Sequence, residues 1–306
     1  MTFNKAAWES VKNAAGDTVR LGITPSGTAG LSSEAVSLVG ARPVLEFTVQ
    51  AGASSLTSFG GGSIKIGIPF TLSQGEDANA VAVYYIDASG KPSALAQSGY
   101  DRNTGAVTLL TGRLSKYAVG YNKISYTDTS SHWGSSYITY LSARNIISGT
   151  GGSIFAPDKG VTRAEFAKML AGIANADVSG YTASTFTDVK TGDWYLPYAA
   201  WAAGNKLANG AGNNHFNPNA SISREEISVM IQRYADLAGY TLPVHAASAS
   251  FADSSSVSSW AVGAVTALQQ AGILTGKGGN KFDPQGGATR AEAAKILTGI
   301  SQGMIQ

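Results

Sequence analysis

The sequence predicts a chain of two parts: a small antiparallel β-sandwich-like domain over residues 1–122, then a mainly α-helical domain of three repeats over residues 123–306. Two observations predict it. Runs of β-branched residues separated by turn residues fill the first part, the pattern of short strands in a sandwich. One pattern recurs three times in the second part, with a period of roughly 60 residues and no slip of register, which marks stacked supersecondary units sharing a core.

In the first part, residues 6–15 are compatible with a short helix. Residues 44–49 alternate across a strand, and residues 63–68 do the same with Ile64, Ile66 and Ile68 on one face. Residues 81–86 lead into the turn signal Asp87-Ala88-Ser89-Gly90. A second turn, 101–105, precedes a strand at 106–110, and a last strand is expected at 117–121. The region contains no histidine, and its acids, among them Asp17, fall mostly in turns or at strand edges. It is read as a spacer or a carbohydrate- or partner-binding sandwich, with no catalytic constellation.

The repeats are anchored by Trp133, Trp194 and Trp260. At equal distances downstream come Gly149, Gly210 and Gly276; then Phe155, Phe216 and Phe282 with Pro157, Pro218 and Pro284; then Arg163, Arg224 and Arg290. Trp133, Tyr137, Tyr140 and Leu141 fall on one stripe of a helix, as do their counterparts in the other copies. The glycines stand where a helix stop would use a positive φ. Thr162 with Glu165, Ser223 with Glu226, and Thr289 with Glu292 are spaced as capping boxes that open a second helix.

Each arginine then occupies the first position of that helix. The helix dipole disfavours a cation there by about 0.3–1 kcal/mol. Two readings stay open: the helix start and the guanidinium form an anion site, or the arginine bridges to its repeat's own acid, Asp128, Asp188 or Asp253. Both can hold together.

Composition removes other classes. Net charge is +2, which gives no electrostatic case for nucleic acid, and charged residues are 14% against about 25% in typical domains. Cysteine is absent, so there are neither disulfides nor thiolate metal sites. No apolar run approaches the length that spans a bilayer. Residues 1–5 lack the shape of a signal peptide, so an exported chain is read as part of a longer protein. His132, His215 and His245 sit at unrelated offsets, and Asp158, Asp177 and Asn213-Asn214 lack calcium-loop spacing; no metal or cofactor is expected. Glu225 and Glu226 are adjacent acids, but neighbouring helical side chains point about 100° apart, so no catalytic residue is assigned.

Taken together, Tyr126-Thr127-Asp128 with Trp133, Phe186-Thr187-Asp188 with Trp194, and Phe251-Ala252-Asp253 with Trp260 resemble the opening of S-layer homology (SLH) repeats. Thr162-Arg163-Ala164-Glu165 and Thr289-Arg290-Ala291-Glu292 match that family's Thr-Arg-Ala-Glu signature, and Ser223-Arg224-Glu225-Glu226 is a variant. The stretch ending in residues 114–121 is similar to the segment that precedes such repeats in some large surface proteins and exported polysaccharidases.

The resemblance implies repeats at about 123–180, 181–245 and 246–306. It implies a pseudo-trimer within one chain, with a central three-helix bundle and three prongs. It further implies non-catalytic anchoring to a Gram-positive cell wall outside the cell, without membrane insertion. The implied partner is secondary cell-wall polysaccharide bearing pyruvylated N-acetylmannosamine, bound in grooves between repeats. Carried over by position, Arg163, Arg224 and Arg290 would take the carboxylate, and Trp133, Trp194 and Trp260 would pack on the sugar. Asp128, Asp188 and Asp253 would bond hydroxyls or orient the arginine, and Gly149, Gly210 and Gly276 would line the groove. Ser223 and Glu225 depart from the signature, and the extra acid beside Arg224 is expected to weaken that groove for an anion. The distance from Asp to Trp also drifts among the copies, so unequal occupancy is expected. Alternatives are a self-assembling S-layer lattice protein, with neighbouring subunits as partners, and the C-terminal fragment of a cell-surface glycoside hydrolase.

Overall fold

The computed structural model describes residues 1–14, 18–245, 247 and 250–306. They form two compact units. The first comprises residues 1–124 with 142–145 and 304–306; the second comprises 125–141 and 146–303.

The first unit runs β1 (Thr2–Phe3), α1 (Lys5–Ala14), β2 (Val19–Pro25), α2 (Ser33–Val39), β3 (Val44–Ala51), β4 (Ser54–Leu56), β5 (Ile64–Pro69), β6 (Val81–Ile86), β7 (Pro92–Ala94), β8 (Ser98–Asp101), β9 (Ala106–Thr111) and β10 (Lys116–Tyr121). One sheet has the order β1-β5-β9-β8; the other has β2-β3-β10-β6-β7, with β4 also paired to β3. Every pairing is antiparallel.

Alternation decides the core. Ile64, Ile66 and Ile68 of β5 and Val107 and Leu109 of β9 meet Phe47 and Val49 of β3, Val81 and Val83 of β6, and Tyr117 and Val119 of β10; Ala7 and Val11 of α1 join them. On the other face of the second sheet, Ala35 and Val39 of α2 cover Val44, Ala82, Tyr84, Ile86 and Ala118. The expected strands are present as β3, β5, β6, β9 and β10, and the expected helix as α1; Ala15 and Asp17 lie outside the described residues. The two expected turns are closed by acids: Asp87 Oδ1 accepts the amides of Ser89 and Lys91, and Asp101 Oδ1 accepts that of Asn103.

The sequence reading passes over β2 and α2. β2 is an edge strand whose Leu21 and Ile23 are exposed, so its alternation has no buried face to report. α2 has seven residues and is capped by the Ser32 hydroxyl, which accepts the amide of Ala35.

Each repeat contributes two helices: α3 (Ser135–Ala143) and α4 (Arg163–Ile173), α5 (Leu196–Gly204) and α6 (Arg224–Leu237), α7 (Val262–Gln270) and α8 (Arg290–Ile305). All three capping boxes are closed in both directions. Thr162, Ser223 and Thr289 hydroxyls accept the amides of Glu165, Glu226 and Glu292, and those carboxylates accept the cap amides in return.

The residues just before the caps join the repeats. Ile222 N donates to Val161 O, Ala288 N to Ile222 O, and Val161 N to Ala288 O, at 3.0, 3.1 and 2.9 Å. These three bonds close a ring, and all three side chains in it are fully buried.

Two local expectations are corrected. The tryptophans do not share the buried stripe of the first helices. Trp133, Trp194 and Trp260 precede those helices and are 55%, 53% and 57% exposed, while Tyr140, Leu141, Trp201, Ala202 and Leu268 are buried. The glycines are not the left-handed residues at the helix stops. Asn145, Lys206 and Gly272 fill that role, with φ of 57°, 60° and 70°.

Thr162→Ala is expected to lower the unfolding free energy by about 0.5–2 kcal/mol, the usual value of a lost N-cap. Chemical denaturation monitored by circular dichroism checks it, with Ser223→Ala expected to fall in the same range.

Candidate functional site

The arginines decide how the repeats meet. Each is nearly buried, at 6%, 3% and 6% exposure for Arg163, Arg224 and Arg290. Each reaches into the next repeat. Arg163 Nε donates to Phe216 O, Arg224 Nε to Phe282 O, and Arg290 Nε back to Phe155 O, at 2.7, 2.7 and 2.9 Å. Their terminal nitrogens donate to Asn209 O, Thr275 O and Ser148 O. Each guanidinium also lies over the phenylalanine ring that supplies the carbonyl, 5.1, 5.1 and 4.3 Å from its centroid. Burial pushes the pKa of Arg224 and Arg290 down, opposed first by Glu292 and Glu165; a guanidinium stays charged regardless.

The arginine's acidic partner is not the repeat's own aspartate. Arg163 pairs with Glu226, and Arg224 with Glu292 at 3.2 Å. Nor do the helix starts offer free amides to an anion. The amides of Arg163, Arg224 and Arg290 donate to Ala220 O, Gly286 O and Lys159 O, and those of Ala164, Glu225 and Ala291 to Pro218 O, Pro284 O and Pro157 O. The helix-start half of the anion-site expectation is therefore corrected: the next repeat fills it.

The aspartates shape the Phe-x-Pro loop. Asp128 accepts the amides of Phe155 and Ala156, Asp188 those of Phe216 and Asn217, and Asp253 those of Phe282 and Asp283. The middle residue of each loop, Ala156, Asn217 or Asp283, has φ of 59°, 55° or 57°. Such a conformation is costly for Ala156 and better tolerated by Asn217 and Asp283, and the carboxylate grips the kinked residue's own amide and the one before it. At Asp128 the Phe155 amide holds the pKa below the usual carboxylate range. At Asp188 and Asp253 burial is the largest influence and pushes upward, but the loop amides and their own amides together outweigh it, so both are also lowered.

The glycines permit a close approach. A Cβ on Gly210 would stand 2.8 Å from His215 O and 3.0 Å from the Phe186 ring; on Gly276 it would stand 3.0 Å from both Lys281 O and the Phe251 ring. Gly149 meets Ile154 O and Tyr126 in the same manner.

One groove gathers a member of three predicted classes from three different repeats. A cavity of about 380 Å³ is lined by Trp133, Arg224 and Gly276, with Thr275, Lys277, Glu292 and Lys295 among its other walls. That volume lies in the range of ligand sites. Asp253 is not in the lining; it works one layer behind, through the loop. The sequence reading missed Lys277 and Lys295. A lysine 35 positions after the tryptophan in the first and third copies (133 to 168, 260 to 295) was the available signal. Lys277 faces Asp283 at 2.9 Å and Glu292 at 3.8 Å, whereas Lys295 donates to the Thr275 hydroxyl at 2.8 Å.

The expected effect of Glu225 is also relocated. Its carboxylate does not face the groove of Arg224. It accepts the amide and hydroxyl of Ser258, two residues before Trp260.

The family model for the S-layer homology domain matches residues 125–167, 185–227 and 250–294. Residues 125–294 are three tandem S-layer homology domains. They are preceded by the β-rich unit. S-layer homology domains are cell-surface anchoring modules, found in S-layer proteins and in surface glycoside hydrolases, and the proteins that carry them lie at the cell surface.

Among known proteins, the chain is 33% identical over 235 residues to an amylopullulanase of Thermoanaerobacterium thermosulfurigenes, covering 76% of this chain and 12% of that protein. It is 38% identical over 195 residues to the exoglucanase XynX of Acetivibrio thermocellus, covering 63% of this chain and 17% of that one. It is 30% identical over 167 residues to an S-layer protein of Bacillus thuringiensis subsp. finitimus, covering 54% of this chain and 20% of that protein. The chain thus spans a fifth or less of the length of each of these. Among the described residues, no helix is long and apolar enough to cross a membrane.

Two outcomes are expected from the SLH geometry. Lowered carboxyl pKa values contribute stability above the unfolded-state value, about 3.9, and this is lost as pH falls through the folded values. The thermal midpoint should therefore drop below about pH 4, and less steeply in Asp128→Asn, which differential scanning calorimetry across pH 3–7 would read. Gly276→Ala should destabilise by about 1–3 kcal/mol through overpacking, measured by urea unfolding.

Proposed function

We propose that this chain tethers a surface protein to a Gram-positive cell wall by binding an acidic secondary cell-wall polysaccharide, one bearing pyruvylated N-acetylmannosamine, in grooves between its SLH domains. The observation that carries the reading is the convergence of Trp133, Arg224 and Gly276 on one groove, each from a different repeat. The exposed indole offers a flat apolar face to a sugar ring. The cations Arg224, Lys277 and Lys295 outnumber the single carboxylate of Glu292 in the groove lining, which favours an anionic ligand. The backbone at Gly276 has no side chain to hold a sugar away.

In this reading residues 1–122 are a spacer and residues 123–306 the anchor, and the chain is not itself catalytic. The adjacent acids Glu225 and Glu226 are committed to Ser258 and to the capping box with Ser223. Relatives named amylopullulanase and exoglucanase fit a tether shared with enzymes of which this chain spans little.

Calorimetric titration of a pyruvylated N-acetylmannosamine glycoside into the whole chain tests the proposal, with the unpyruvylated sugar as the control. Binding that requires the pyruvate is expected, and Trp133→Ala should weaken it by roughly tenfold or more, about 1.4 kcal/mol. A folded chain that binds neither the glycoside nor purified wall sacculi would overturn it.

A further inference from the structure

The positions that line this groove recur at two further places between repeats, but they do not carry the same side chains there. In the groove described above, Lys295 of the third repeat lines the wall with Trp133 of the first. At the equivalent place between the first and second repeats, the Lys168 ammonium lies 5.7 Å from the Trp194 ring centroid and 5.9 Å from that of Tyr198. Between the second and third repeats the corresponding residue is Val229, buried at 9% exposure, near Trp260 in the pattern. The aromatic partner changes with it. Trp133 and Trp194 each pair with a tyrosine four residues on, Tyr137 and Tyr198, at 6.4 Å in both cases. After Trp260 that position is Ala264.

We infer that the grooves holding Lys295 with Trp133 and Lys168 with Trp194 are the two that take an acidic sugar, that these lysines select its carboxylate, and that the groove at Trp260 takes no acid. The inference rests on the groove reading of the preceding section. The arginines do not distinguish the grooves, because all three make the same bonds to backbone carbonyls of the next repeat. Their charge is matched by half-buried glutamates: Glu226 for Arg163 and Glu292 for Arg224 as ion pairs, and Glu165 for Arg290 as the first opposing charge.

Lys295 shares its groove with Glu292, whose ion pairs are with Arg224 and Lys277. Among the described residues Lys295 enters no ion pair, and its bond is to the neutral Thr275 hydroxyl. Burial, and then the nearby Arg224, hold its pKa down, with Glu292 opposing them; an anion bound there would favour the charged ammonium. At Trp260 the balance is less positive. The lysine is gone, and the carboxylate of Glu225 is fastened to Ser258 two residues from the indole. A carboxylate ligand there would meet an added negative charge and no compensating ammonium.

The test uses the whole chain and two probes, the pyruvylated N-acetylmannosamine glycoside and its unpyruvylated form, in calorimetric titrations with a melting curve for each variant. Wild type is expected to bind two equivalents of the pyruvylated probe. Lys295→Gln and Lys168→Gln should each leave one strong site, with the other weakened roughly tenfold or more. The double variant should lose the preference for pyruvate while melting as wild type does. Three equal sites in wild type, or a double variant that keeps the preference, would overturn the inference and leave the anchoring function standing. Failure of wild type to bind either probe would overturn both, which separates the two cases.

Discussion

The fold of the repeat unit depends on helix starts that cannot complete themselves. The first amides of an α-helix have no partners within the helix. A capping box satisfies two amides locally, those of Thr162 and Glu165 in the first repeat. The amides of Arg163 and Ala164 remain, and their acceptors are Ala220 and Pro218 of the following repeat. The same holds at Arg224 and Arg290. The arginine side chain runs alongside these bonds and finds its own acceptors on the same neighbouring loop. Its place at the positive end of a helix, unfavourable for an isolated helix, follows from the carbonyls and the glutamate that the neighbour brings there.

This arrangement gives the groove a rigid wall. Arg224 holds the carbonyls of Thr275 and Phe282, and Asp253 holds the Phe282 and Asp283 amides from the other side. The loop carrying Gly276 is thereby gripped by two charged groups from two repeats. Preorganisation of this kind lowers the ordering cost of binding. The tryptophan and the lysine, in contrast, stand on that frame with little structural duty, and they are where the copies are free to differ.

Much of this was legible in the residues. The capping boxes were, because a hydroxyl and a carboxylate three positions apart before an apolar run have a local meaning. The two-sheet sandwich was legible where strands bury one face, as in β5 with Ile64, Ile66 and Ile68. Less could be read where the cause lies in another repeat. The partner of each arginine, the role of each aspartate and the location of Glu225 beside Ser258 are set by residues from 27 to 142 positions away, and no local spacing announces them. The glycines show the same limit. Their pattern was visible, but its cause is the approach of an aromatic ring and a carbonyl rather than a turn conformation.

The direction of the arginine contacts has one more consequence. Each repeat presents a different surface to its predecessor and to its successor, a head-to-tail interface, and the third repeat returns to the first. Such an interface either grows without end or closes on itself, depending on the rotation between units. Here it closes at three. One polypeptide therefore reproduces the symmetry of a cyclic trimer while leaving each subunit free to change its sequence, and covalent linkage replaces an encounter among three molecules by an event within one. A homotrimer would be held to three identical grooves; this chain is not.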